Sequence, residues 1–102
     1  MYPRRRDYPK EIQVGQTVYR IRFCSKATML TLDGDPKTIG FCCEASETIY
    51  IAIGLKPKDR FETPLHELLH AVSFEYKIPI PHKLIYGLEA PLARLVLDAL
   101  AG

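Results

Sequence analysis

Hydrophobic and polar positions change their rhythm halfway along the chain. Over residues 17–24, Tyr19, Ile21 and Phe23 alternate with Val18, Arg20 and Arg22, the period of a half-buried strand. Further strands are expected over 28–32, 38–43 and 48–53, separated by the turn signal Asp33-Gly34-Asp35-Pro36 and by Ala45-Ser46. In the last of these, Ile49, Ile51 and Ile53 share one side while Thr48, Tyr50 and Ala52 share the other. The front half therefore predicts a small sheet of three or four short, mostly antiparallel strands.

The back half has the period of helices. Thr63 followed by Pro64 predicts an N-cap with proline in the first helical position, where its missing N–H costs nothing. Leu65, Leu68, Leu69, Val72 and Tyr76 then recur at helical spacing and define an expected buried face. Lys77 to Pro81, with two prolines, ends that helix. A second helix is expected from about His82, with Leu84, Ile85, Leu88, Leu92, Leu95 and Val96 as its apolar stripe and Pro91 kinking or breaking it. A small sheet followed by two helices is an α+β arrangement.

Composition narrows the function classes. The 102 residues suffice for one domain, expected over 11–102 behind an N-terminal tail of residues 1–10. A net charge of +2 does not by itself call for a nucleic-acid or membrane partner. The run Arg4-Arg5-Arg6 reads as a solvated tail, with contact to a polyanion as the alternative. No apolar stretch reaches spanning length, so no membrane partner is expected. Three cysteines without a C-x-x-C spacing suggest a reduced, cytoplasmic chain in which Cys42 and Cys43 pack within a strand.

The chemistry concentrates in His66-Glu67-Leu68-Leu69-His70. Histidines four apart on a helix project from one face and can share a metal ion, and zinc suits imidazole donors. Glu67, between them, is positioned to take a proton from water rather than to ligate. A shuffled chain with three histidines and seven glutamates in 102 residues would contain roughly 0.006 such motifs, so chance explains it poorly.

Two histidines do not complete a catalytic zinc site; a third protein donor is needed. At about 1.5 Å per residue, the first helix extends roughly 9 Å beyond His70. A second helix doubling back from His82 rises roughly 10.5 Å to Glu89, which therefore sits level with the histidines and is the expected third ligand. On this arithmetic His82 stays near the base of the hairpin. Tyr86 and His82 share the face of Glu89. Tyr86 is a candidate donor to a developing oxyanion, and His82 a candidate substrate contact if the helices splay. Cys42 or Cys43 could instead close the site as a fourth ligand and make it structural.

The segments TIYIAIGLKPKDRFETPLHELLHAV and IPHKLIYGLEAPLARLVLDAL resemble the small zincin-like metallopeptidases of phages and prophages. More distantly they are similar to ImmA/IrrE-type and SprT-type peptidase domains. The likeness covers about residues 48–100 and is most specific in H-E-x-x-H and in the later Y-x-L-E-x-P-L-A. It implies a minimal zincin-like fold, one zinc per chain, His66, His70 and Glu89 as ligands and Glu67 as general base. The pattern departs from metzincins, with Ser73 and Tyr76 where their glycine and third histidine would fall. Ala93 stands where a thermolysin-like aspartate would follow Glu89.

Metal-assisted hydrolysis of a peptide bond is the implied activity, with a protein or peptide substrate. That substrate is expected to lie extended along a free edge of strand 48–53, against Thr48, Tyr50 and Ala52. The alternative is a non-catalytic zincin-fold module that binds metal for stability or docks a partner.

Overall fold

Four strands and three helices follow one another as β1 (Glu11–Val14), β2 (Thr17–Cys24), α1 (Lys26–Asp33), β3 (Gly40–Cys43), β4 (Thr48–Ala52), α2 (Pro57–Tyr76) and α3 (His82–Ala101). They belong to a computed structural model that describes residues 2–101. The fold is α+β, as the change of period predicts. The sheet runs β1-β2-β4-β3. Its outer pairings are antiparallel and its central pairing, β2 with β4, is parallel, with Ile21 opposite Ile49 and Phe23 opposite Ile51.

One face of that sheet carries the core. Tyr19, Ile21, Ile49 and Ile51 pack with Val14 and with Ala71 of α2, and Leu68 and Val72 close over them. The alternation in β2 thus has its expected effect: odd positions point at α2 and even positions, Arg20 and Arg22 among them, are exposed. Glu75, near the end of α2, accepts hydrogen bonds from Tyr19 (2.7 Å) and Thr17, which ties the helix to β2. β1 was not expected. Its four residues are too few for a periodic signal, and Gly15, at φ 61°, closes the hairpin to β2.

Residues 28–32, expected as a strand, lie within α1. Ser25 caps this helix by accepting from the Thr28 N–H at 3.1 Å, and Gly34 ends it in the left-handed conformation at φ 81°. The glycine that reads as a hairpin turn is therefore a helix C-cap, and Ala27, Met29 and Leu30 are good helix formers. Met29 alone of this helix is fully buried.

α2 starts earlier than Thr63-Pro64 predicts. Lys56 is the N-cap and Pro57 occupies the first turn, while Pro64 lies inside the helix. Proline at 64 removes the N–H that would bond the Arg60 carbonyl. The Tyr8 hydroxyl donates to that same carbonyl at 3.2 Å, so the orphaned acceptor is satisfied from outside the helix. Arg4, Arg5 and Arg6 of the tail are exposed, as expected, but the residues around them are docked. Arg60 Nη2 donates to the Pro3 carbonyl at 2.9 Å, Tyr2 packs on Phe61 and Tyr8 packs edge-on against Phe23. Tyr2, Pro3 and Tyr8 are thus held against the body of the domain.

α3 packs chiefly on α2. A helix with one neighbour buries a narrow stripe, so Ile85 and Ala93 are buried while Leu84, Leu95 and Val96 are exposed. Tyr76, expected on the buried face of α2, is exposed as well, and so is Ile53, which lies beyond the end of β4. Pro91 does not break α3, which runs unbroken from His82. Among the described residues, no helix is long and apolar enough to cross a membrane.

Candidate metal centre

α2 reverses into α3 through Lys77, which ends α2 in the left-handed conformation at φ 54°, and a short connection to His82. The reversal brings His66 and His70 of α2 against the start of α3. One donor atom from each of His66, His70 and His82 lies within 4.8 Å of the other two. His66 Nε2 and His82 Nε2 are 3.0 Å apart. The three histidines are close enough to bind one metal ion. A tetrahedral ion with bonds of about 2.05 Å would hold its nitrogens about 3.3 Å apart, near the observed His66–His82 separation.

His82 thus does not stay at the base of the hairpin. The rise arithmetic measures backbone levels, whereas an imidazole reaches back across the interhelical space. Glu89 also arrives where expected, level with His66, but on the other side of its ring: Glu89 Oε2 lies 2.7 Å from His66 Nδ1. A carboxylate there accepts from Nδ1–H and leaves the lone pair on Nε2, facing His70 and His82. As the side chains stand, Glu89 holds His66 and His82 supplies the third nitrogen of the cluster.

The electrostatics suit a cation. His70 is held below the ordinary imidazole range, chiefly by burial and then by His66 and His82, so its lone pair is available near neutrality. Glu67 is buried at 6 % exposure and its carboxyl is pushed up to about 7. Burial is the main cause, Asp33 and Glu89 add like-charge repulsion, and the Cys42 backbone N–H opposes them. Tyr86 is exposed, its ring centroid 5.0 Å from that of His66 and 4.6 Å from that of His82.

These residues line one cavity of about 690 Å³, a volume suited to part of a peptide. Its walls include β3 as well as the helices. Gly40 and Cys42 belong to this site, and residue spacing alone singles out neither. A Cβ on Gly40 would lie 2.4 Å from Thr63 Cγ2 and 2.8 Å from Glu67 Oε2, so only glycine lets β3 approach α2 this closely. The signal in the sequence was an isolated glycine inside the strand expected over 38–43. Cys42 lines the cavity with its thiol pushed up to about 12, mainly by burial and then by Glu67. Neither Cys42 nor Cys43 joins the cluster of donor atoms among the described residues.

Thr48, Tyr50 and Ala52 lie elsewhere. β4 pairs with β2 on one side and β3 on the other, so it has no free edge, and none of the three lines this cavity. The outer strand beside the site is β3. Ala52 N–H donates to the Ile39 carbonyl at 2.9 Å, which turns the backbone groups of Ile39 and Phe41 toward β4 and those of Gly40 and Cys42 toward the open edge. Comparison of the chain with protein-family models, curated proteins and solved structures finds no match in any of the three.

Proposed function

We propose that this protein is a zinc-dependent peptidase whose metal is held by His66, His70 and one donor from α3. The observation that carries the reading is the convergence of three imidazole donors within 4.8 Å beside a buried carboxylate, Glu67, in one cavity. Imidazole donors favour zinc among the common divalent ions, although cobalt or nickel would also fit. When bound, such an ion lowers the pKa of water and polarises a carbonyl.

The side chains then divide the work. Glu67, with a pKa near neutrality, accepts the proton of the attacking water and passes it to the leaving amine. Tyr86, beside His66 at the cavity rim, donates a hydrogen bond to the developing oxyanion. The open edge of β3, at Gly40 and Cys42, pairs with an extended substrate backbone. Such pairing reads shape rather than side chains, so the substrate is an extended protein segment. His82 is the α3 donor that the present side-chain arrangement favours, with Glu89 holding His66; the resemblance favours Glu89 as ligand.

The test is zinc titration and metal analysis of the wild type, His82→Ala and Glu89→Ala, followed by hydrolysis of an unfolded casein. One zinc per chain and cleavage abolished by Glu67→Gln are the expected results. Loss of binding in His82→Ala, with Glu89→Ala weakened about 10- to 100-fold, assigns His82 as ligand and Glu89 as its support. The reverse pattern assigns Glu89. Stoichiometric zinc without any cleavage would favour a metal-binding interaction module, and no zinc binding would end the reading.

A further inference from the structure

A second cavity, sharing no residue with the first, opens on the other side of the sheet. Arg20 and Arg22 of β2 and Thr48 and Tyr50 of β4 are register neighbours on that face, opposite to the core. The docked N-terminal segment adds Arg5, Arg6 and Lys10 to the same cavity, so five cations meet there with Glu11 as the one acidic group lining it. None of the five forms an ion pair among the described residues. A chain of net charge +2 thus gathers five unneutralised cations on one face. Solvation alone accounts for scattered surface charges, not for two chain segments converging on one cavity.

We propose that this face binds single-stranded nucleic acid. The cations supply phosphate contacts, and aromatic rings lie among them. Tyr50 lines the cavity, and Phe41, its register neighbour in β3, runs nearly parallel to it, with an interplanar angle of 18° and centroids 6.4 Å apart. Unpaired bases stack on such rings without regard to sequence. Duplex DNA is read by an element that enters a groove, whereas Arg20 and Arg22 lie within a strand of the sheet and are flanked by the N-terminal segment and the first turn of α1. An acidic peptide or an anionic membrane would use the cations and leave the rings idle. The proposal stands independently of the metal site.

The experiment is fluorescence anisotropy of the full, metal-free chain with a labelled oligo-dT of about 20 nucleotides, at salt from about 50 to 200 mM. The expected result is saturable binding with a log–log salt slope of about −3.5, for five phosphate contacts on a single strand. Arg20→Glu/Arg22→Glu should weaken it at least about 10-fold. Lys58→Glu/Arg94→Glu, the same charge change on exposed positions of α2 and α3, should cost less than about 2-fold. Arg5→Gln/Arg6→Gln, outside the sheet and harmless to its pairing, should cost an intermediate amount. Absence of wild-type binding at the lowest salt, or equal losses in the two charge-reversed variants, would overturn the proposal. Equal or tighter binding of a duplex, polyglutamate or anionic vesicles would also overturn it and assign the face to that partner.

Discussion

The two faces of one four-stranded sheet carry opposite charge. On the helix side, the cavity of the three histidines is rimmed by Asp33, Asp35, Asp59, Glu62, Glu67 and Glu89 against a single cation, Lys37. On the open side, five cations face one glutamate. The near-zero net charge of the chain hides this separation, because the two sets cancel in the total. Residues one apart in β2 belong to different environments: Ile21 is in the core, and Arg20 and Arg22 beside it are in water. Charge on the open side is nearly free to change, whereas on the helix side one charge, that of Glu67, is buried against neighbours that respond to it.

The comparison breaks first where a core residue is truncated. Ile49→Ala, at a fully buried position of β4, should lose about 4 kcal/mol in urea unfolding. A loss below about 1 kcal/mol would mean that the helix-side core is not packed as described.

Glu67→Gln tests the buried charge. Glu67 has a pKa of about 7 against an ordinary value of 4.5, so its neutral form is the one the fold favours. Its contribution to stability is intact below about pH 4.5 and is lost as the pH rises through about 7. In the metal-free protein the glutamine variant should match the wild type near pH 4.5 and exceed it by roughly 3 kcal/mol at pH 8. Melting curves across that range check it; a difference that does not change with pH would show that Glu67 is not desolvated. Saturating zinc should shrink the difference, since a nearby cation favours the carboxylate.

Gly40→Ala probes the closest approach of sheet and helix. The added methyl would collide with Thr63 and Glu67, and a loss of about 2 kcal/mol is expected. Near-wild-type melting would mean that β3 can retreat from α2.

Smaller is Tyr8→Phe, which leaves the Arg60 carbonyl unpaired beside Pro64 and should cost about 1 kcal/mol. Pro64→Ala restores the missing N–H, so the tyrosine should matter less in that background. A double-mutant cycle without coupling would sink this account. Least of all, Arg20→Ala on the open face should change stability by less than about 0.5 kcal/mol. A larger loss would show that the open face is a structural surface after all.

Much of this was legible along the chain because it depends on local period. The alternation of β2, the β3 and β4 segments, the end of α2 before Lys77 and the start of α3 at His82 all follow from short-range pattern. So does the pairing of His66 and His70, since four residues make one turn of one helix. Local signals failed where two readings share the same residues. Asp33-Gly34 serves a hairpin turn or a helix end equally well, and the Ser25 cap decided for the helix. Thr63-Pro64 has the form of a helix start, but a proline can sit in a helix interior when something else meets the orphaned carbonyl, as Tyr8 does.

By itself, then, the sequence determined the class of fold, the strand period that separates Ile21 from Arg22, and a helix with two histidines and a glutamate on it. Each rests on contacts within a few residues. The tertiary structure alone decided that β4 is interior and β3 is the edge, that Gly40 lies against Glu67, and that His82 meets His66 at 3.0 Å with Glu89 on the far side of the ring. It also joined Arg5 and Arg6 to Arg20 and Arg22. Those relations connect positions far apart in the chain, where pairing order and side-chain reach set the distances and no local period records them.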